Sequence, residues 1–191
     1  EELEFDMAKL SETKFENIDG IRPTTLFCKN CDVDSMNAFE LKKLNGKCYR
    51  FRSSISFSSH DAKKEYQNSF SLVDELFIKV GAQVMCMINF EPEIGLVNGA
   101  RGIVTYIHDQ SAPDVEDDRT IPSYVKVKFL NGYEHRFGAF RQEIKDEDGK
   151  VVAFKEQFPL KLSWALTIHK SQGATIDFLD VDLAGCFAPG Q

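Results

Sequence analysis

Residues 156–177 read EQFPLKLSWALTIHKSQGATID, a run whose apolar first half gives way to a dense polar sequence. One side of a 3.6-residue period carries its apolar members, which are Leu162, Ala165, Leu166 and Ile168. This spacing predicts a helix docked on a sheet with its polar end facing outward. Gly173 then ends the helix, and the chain turns into an apolar strand over 178–183.

The polar end of this run has the composition of a phosphate-binding corner. Hydroxyls, a lysine, an imidazole and a glycine follow one another in TIHKSQGAT at 167–175. Phosphates are commonly bound by such groups above a sheet, where glycine leaves a backbone N–H unobstructed. A purely structural alternative is open on spacing alone, because a lysine and a histidine complement a helix dipole and glycine is an ordinary helix end.

Three stretches of the chain resemble one family of motor proteins. The block PLKLSWALTIHKSQGATID at 159–177 resembles motif V of superfamily 1B DNA helicases, specifically the petite-integration-frequency family and its RecD-like relatives. KVGAQVMCMINFEPEIGLVNGARGIV at 79–104 is similar to a second family segment. RPTTLFCKNCDVDSMNAFELKKLN at 22–45 resembles the motif IV region. The agreement follows the family's order along the chain, which favours a helicase over a coincidental motif.

The resemblance implies an α/β fold with two parts. A second RecA-like, P-loop-NTPase-type motor domain, built as a parallel sheet with helices, is expected over 21–75 and 157–191. An SH3-like small β-barrel is expected as an insertion over 76–156, and residues 1–20 are expected to be an acidic linker from an upstream domain.

By resemblance, the whole protein is an ATP-dependent 5′-to-3′ DNA helicase used in DNA repair, recombination, replication or telomere maintenance. The expected partners are single-stranded DNA, forked or structured DNA and a first RecA-like domain, which binds most of the ATP and Mg²⁺; the protein is expected to be a monomer. The expected DNA contacts are Thr167, His169, Lys170, Ser171 and Gln172, with Asn98 and Arg101 from the turn GLVNGARG. Gly173 and Arg22 are expected at the nucleotide interface.

The chain lacks the usual catalytic signatures of such a motor. No GxxxxGK[ST] phosphate loop is present, and the nearest run, LNGKCY at 44–49, has Cys48 where a metal-bound hydroxyl belongs. The final residues, GCFAPGQ at 185–191, resemble the segment before motif VI. We therefore expect the second half of a motor, with no catalytic residue of its own and inactive alone. The alternative is a non-catalytic nucleic-acid or protein-binding adaptor derived from a helicase half. A phosphate loop within a few hundred residues before Glu1 would support the motor, and a start codon just before Glu1 would support the adaptor.

Charge, apolar runs and cysteine content limit the ligands and the cellular compartment that the sequence predicts. The net charge is −7, of which residues 1–20 supply −5, so the rest is nearly neutral and compatible with a local basic groove. No apolar run is long enough for a membrane span, and no metal site is expected from the lone CxxC at Cys28 and Cys31. Five irregularly spaced cysteines favour an intracellular, reducing compartment: nucleus or mitochondrion in a eukaryote, cytoplasm in a bacterium or virus.

Local patterns predict the other elements. A strand is expected at Thr24–Cys28, followed by a helix over about 33–44 that is capped by Asn30 or Asp32 and contains Asn37 as a buried amide. The serine-rich run 52–71 reads as a surface connection with one helical turn. Period-two alternation and the turns Asn131-Gly132, of type I′, and Asp148-Gly149 predict five or six short strands in a small closed barrel, with a mobile loop at 109–120.

Overall fold

The computed structural model describes residues 20–108, 124–171 and 179–181. Of the expected linker at 1–20, only Gly20 is described. The expected loop at 109–120 lies entirely outside the described residues. The elements in chain order are β1 (Thr24–Phe27), α1 (Asn30–Lys43), β2 (Tyr49–Arg52), β3 (Ser54–Phe57), α2 (His60–Tyr66), β4 (Glu75–Ile78), β5 (Gln83–Cys86), a 3₁₀ turn (Pro92–Ile94), β6 (Arg101–His108), β7 (Tyr124–Phe129), β8 (Glu134–Phe137), β9 (Phe140–Lys145), β10 (Val151–Gln157), β11 (Leu160–Leu162), β12 (Ala165–Thr167), α3 (Ile168–Ser171) and β13 (Leu179–Val181).

Three strands of the α/β fold form a small parallel sheet. Its order is β12-β1-β13, and both pairs are parallel. The strand predicted at Thr24–Cys28 is confirmed as β1, and β13 falls within the apolar strand predicted over 178–183. The other strand pairs among the described residues are antiparallel, so the RecA-like motor domain with a parallel sheet stays a prediction.

The helix predicted for the opening run is wrong over most of its length. Residues 160–162 and 165–167 form strands β11 and β12, and helix begins only at Ile168. All three residues of β12 are buried, and Thr25 and Leu26 of β1 pair with Ala165 and Leu166. A strand covered on both faces is apolar at successive positions, so its sequence can imitate a helical period.

Helix α1 is confirmed, but its predicted cap is wrong. The helix begins at Asn30, and the residue before it, Lys29, makes no capping side-chain hydrogen bond. Asn37 is buried as predicted, and its amide bonds to the backbone of β12: Nδ2 donates to the Ala165 carbonyl, and the Ala165 N–H donates to Oδ1, both at 3.0 Å. The helix is thereby fixed to the edge of the parallel sheet.

The middle of the chain forms antiparallel sheets with the orders β11-β5-β6-β7-β8 and β3-β10-β9, and a β2-β4 pair. Both predicted hairpins are confirmed, but the type I′ turn is wrong. Phe129 and Tyr133 flank a three-residue loop in which Gly132, at φ 81°, takes the left-handed position. Gly149 takes the same left-handed position in the loop of the second hairpin. Such loops use a type I turn followed by glycine. The closed SH3-like barrel stays a prediction.

The serine-rich run 52–71 holds more structure than predicted. It contains β3 and the seven-residue helix α2, whose Ser59 cap accepts a hydrogen bond from the Ala62 N–H at 3.0 Å. Strand β3 is largely exposed and forms by pairing with β10, so it carries little apolar signal of its own.

One hydrophobic core crosses the predicted domain boundaries. Phe51 and Trp164 from the flanking segments pack in the same cluster as Val84, Val127 and Phe137 of the predicted insertion. Cys28 takes part in a disulfide bond, which differs from the expectation of simple packing, whereas Cys31, Cys48 and Cys86 are free. Within the described ranges, every helix is too short or too polar to cross a membrane.

Candidate functional site

The short helix α3 continues directly from the buried strand β12, at the carboxyl end of the parallel sheet. Ligands of open α/β sheets bind outside the carboxyl ends of the strands, so this corner is the first place to expect a ligand. The predicted residues Thr167, His169 and Ser171 are brought together here because the strand ends and the helix begins between residues 167 and 168.

The three described side chains of this corner differ in exposure. Thr167 is buried, with 4% of its surface exposed, whereas His169 is exposed. The Ser171 hydroxyl donates to the Ile168 carbonyl at 2.7 Å, which closes the short helix. His169 is therefore the group best able to reach a ligand in solution. Lys170 lies on α3, but its side chain is not described, and Gln172 and Gly173 lie outside the described residues.

Thr167 also lines a groove of about 680 Å³ between helix α1 and strands β4, β11 and β12. The groove has an apolar floor that includes Leu41, Leu76 and Leu166. Its polar members among the described residues are Asp34, Asn37, Lys42, Glu75, Lys79, Lys161 and Thr167. A concave apolar surface with a few convergent polar groups is the common form of a binding site.

The lysines of this groove were missed by the sequence reasoning. Lys161 lies on β11 and Lys42 in the last turn of α1, while Lys79 follows β4 and donates to the Leu44 carbonyl at 2.7 Å. The alternation Leu160, Lys161, Leu162 was a signal for a strand with one polar side chain, but assigning a helical period concealed it.

Asn98 and Arg101 do not lie in equivalent positions. Asn98 is exposed, and its backbone N–H donates to Asn89 Oδ1 at 2.9 Å. Arg101 is 1% exposed and points inward. Its Nη1 donates to Thr24 Oγ1 at 3.1 Å and to the Arg22 carbonyl at 3.3 Å. In this conformation, Arg101 joins β6 to the parallel sheet and does not reach solvent, which differs from the expected contact with a phosphate or base.

A buried polar network surrounds Arg101 at the amino end of the parallel sheet. Gln83 accepts the Arg22 N–H at 2.9 Å and donates from Nε2 to the carbonyls of Arg22 and Ser163 at 3.0 and 3.1 Å. Thr24 Oγ1 donates to the same Ser163 carbonyl at 2.8 Å. Since buried polar groups need partners, this network fixes the starts of β1 and β12 against strand β5.

Arg22 lies at the opposite end of the parallel sheet from His169, because β1 and β12 run in the same direction. Its guanidinium, about half exposed, pairs with the buried Glu40 carboxylate, which Lys43 Nζ also contacts at 2.7 Å. Burial raises the pKa of Glu40, but hydrogen bonds from Lys43 and Arg22 outweigh it and hold the pKa below its usual value. The structure therefore does not bring the two predicted sites together.

The residues that the structure describes contain no group of three or more histidine, cysteine, aspartate or glutamate side chains able to hold a metal ion. Nucleotide-dependent chemistry also needs a phosphate loop, which the sequence lacks. The described part of the chain offers a concave surface for binding a ligand.

Known proteins resemble this chain in sequence and in fold. The family model described as DNA helicase Pif1, 2B domain, matches residues 67–107. The human ATP-dependent DNA helicase PIF1 is 36% identical over 173 residues, which cover 91% of the chain and 25% of that relative. The chain belongs to the Pif1 helicase family. It spans 25% of the length of the vertebrate Pif1 relatives it matches in human, rat and zebrafish.

Solved Pif1 structures extend the comparison to the fold. The Pif1 helicase from Candida albicans superposes with a TM-score of 0.69 at 31% identity, covering 97% of this chain and 44% of that one. The Pif1 helicase from Bacteroides in complex with ADP-AlF3 and single-stranded DNA has a TM-score of 0.60 at 26% identity, covering 93% of this chain and 37% of that one. The α/β fold is thus that of Pif1 helicases.

Proposed function

We propose that this chain serves as the second motor part of an ATP-dependent 5′-to-3′ DNA helicase and binds single-stranded DNA at the carboxyl end of its parallel sheet. It would form a RecA-like domain with an inserted SH3-like barrel, as the family resemblance implies. The observation that carries the proposal is the exposed imidazole of His169, on a helix that leaves the buried strand β12 without an intervening loop.

The chemistry of the corner supports a single strand as ligand. His169 can donate to a phosphate, and Thr167 lies in the wall of a groove that also carries Lys42, Lys79 and Lys161. Phosphate contacts and apolar surface for bases are the two components of sequence-independent binding of a single strand. Asn98 is an additional candidate contact because its side chain is exposed; we leave Arg101 out because its side chain is buried.

ATP and Mg²⁺ would be bound mainly by a first RecA-like domain, since this sequence lacks a GxxxxGK[ST] phosphate loop. When bound there, ATP supplies the free energy for closing the two domains, and a strand moves when the two states differ in their contacts. From this chain, Arg22 and Gly173 are the proposed contributors at the domain interface. Forked DNA as a substrate, a monomeric state and an intracellular location stay predictions.

The proposal is tested by replacing the exposed imidazole. His169→Ala should weaken binding of a fluorescein-labelled oligothymidylate by about tenfold in an anisotropy titration, the loss expected for one hydrogen bond to a charged group. In the full-length protein that contains this chain, the same change should reduce DNA-stimulated ATP turnover. His60→Ala, which alters an exposed histidine at the start of α2, is the matched control. If His169→Ala and His60→Ala give the wild-type affinity and turnover, the assignment is rejected.

A further inference from the structure

A second surface with the chemistry of a nucleic-acid contact adjoins the groove. Strands β2 and β4 pair antiparallel, with Arg50 opposite Phe77 and Arg52 opposite Glu75. These four side chains are exposed, whereas their neighbours Phe51, Leu76 and Ile78 are buried in the core. We call Arg50, Arg52, Glu75 and Phe77 the ribbon face.

The ribbon face is continuous with the candidate site. Glu75 and Phe77 line the same groove as Thr167, on the wall opposite helix α1. Lys79, just after β4, lines it as well. A chain lying in the groove beside Thr167 would therefore pass over Phe77 without leaving the protein surface.

The ribbon face carries an excess of positive charge. Arg50 Nη2 and Arg52 Nε approach the same Glu75 oxygen, at 2.6 and 3.3 Å, so two guanidiniums share one carboxylate. The hydrogen bond from Arg50 holds the pKa of Glu75 below its usual value, so this carboxylate stays ionised. One guanidinium charge is left over, and Lys79 adds another, because its ammonium bonds to the neutral carbonyl of Leu44. Such a surface attracts a polyanion.

Phe77 offers an exposed aromatic ring on which a base can stack. Its side chain is 40% exposed, a large fraction for a phenylalanine on a strand whose alternate residues are fully buried. The Arg50 guanidinium lies 5.5 Å from its ring centroid. Unstacked bases bind on aromatic rings and on guanidinium planes, and this pair offers both within one site.

We propose that the ribbon face and Lys79 hold a further nucleotide of the single strand, with a base stacked on Phe77 and its phosphates beside Arg50 and Lys79. The inference rests on the proposed function, since it extends the strand's path from Thr167 through the groove. The charge excess favours a nucleic acid over an apolar peptide as the occupant.

The test compares two exposed phenylalanines in the same chain. Phe77→Leu keeps an apolar side chain but removes the ring, and should weaken oligothymidylate binding by about tenfold, as for loss of one stacked base. Phe77→Tyr keeps the ring and should bind within about twofold of wild type. Phe39→Leu is the matched control, because Phe39 is 57% exposed, carries Lys43 at 4.1 Å from its ring centroid and does not line the groove.

Glu75→Gln should raise the affinity for oligothymidylate, an effect that a loss of stability cannot produce. Removing the shared carboxylate frees both guanidiniums, so affinity should rise by about threefold at low salt. Arg50→Gln should reduce the slope of log affinity against log salt by about 0.7, the value for one single-strand phosphate contact. Binding of labelled poly-glutamate, a polyanion without bases, should be unchanged by Phe77→Leu.

The outcomes separate the two proposals. Weaker binding by His169→Ala with wild-type binding by Phe77→Leu overturns the ribbon face and leaves the proposed function standing. Equal losses from Phe77→Leu and Phe39→Leu, or an equal loss for poly-glutamate, also overturn it. Failure of the wild-type chain to bind any oligothymidylate overturns both.

Discussion

Replacing Asn37 by alanine should destabilise the fold at the point where helix α1 meets strand β12. Asn37 is 9% exposed, and its amide makes two hydrogen bonds of 3.0 Å with the N–H and carbonyl of Ala165. Ala165 lies on β12, which forms one edge of the three-stranded parallel sheet. The asparagine thus takes the place of a neighbouring strand for this residue.

The expected loss can be estimated from these two bonds. Each contributes about 1 kcal/mol net, and a buried group left without a partner costs about 1–3 kcal/mol. Because the groove beside Asn37 and Ala165 gives water partial access, we expect the lower part of that range, about 2 kcal/mol in total. For a chain of this size, that corresponds to a fall in Tm of about 4–8 °C.

Urea unfolding followed by tryptophan fluorescence measures this change. The chain has a single tryptophan, Trp164, which is buried beside Ala165 and reports on the same contact. Ser35→Ala on the same helix is the control: its hydroxyl bonds to the Cys31 carbonyl in an exposed position, so the change should stay within about 0.5 kcal/mol. If Asn37→Ala also stays within about 0.5 kcal/mol of wild type, the paired amide does not fix α1 to the sheet.

Two further predictions concern packing and pH. A Cβ added at Gly102 would lie 2.5 Å from Val127 Cγ1 and 2.6 Å from the Lys128 carbonyl oxygen, so Gly102→Ala should destabilise the fold by about 1–3 kcal/mol. Gly138→Ala is the control and should change Tm little, because a Cβ there would have no atom within 4 Å. Equal Tm values for the two variants would contradict the packing around Gly102. Glu40→Gln should cost about 1 kcal/mol at pH 7, since its two cationic partners are half exposed. Because the pKa of Glu40 is lowered on folding, its contribution to stability is present above pH 4.5 and is lost as the pH falls through the folded value. Urea titrations of variant and wild type should therefore converge as the solution is acidified.

The sequence predicted those elements that carry a local signal. The strand Thr24–Phe27, helix α1, the buried amide of Asn37 and both glycine hairpins follow from periodicity, burial and turn residues. Strand β3 could not be predicted in the same way, because its residues are mostly exposed and its pairing with β10 joins residues about a hundred positions apart. Long-range pairing of this kind leaves no local trace.

The run at 160–167 shows how a tertiary contact overrides a local period. Its apolar spacing fits a helix, but Ala165–Thr167 pairs with β1 and is buried at all three positions, so it forms a strand. The same wrong helix prediction hid Lys161 as a residue of the candidate site, because Lys161 alternates with two leucines on strand β11. Arg101 shows the converse: its sequence context suggests an exposed turn, but the guanidinium is buried against Thr24.

The most direct test of the central claim, that the corner around His169 contacts a single strand, is photo-crosslinking. An oligothymidylate carrying 5-iododeoxyuridine is irradiated with the 191-residue chain, and the tryptic peptides are mapped by mass spectrometry. The account predicts crosslinks in the peptide 162–170, which holds Thr167 and His169, and their loss when unlabelled single strand competes. Crosslinks confined to other peptides, such as those of strands β7 and β8, would contradict it.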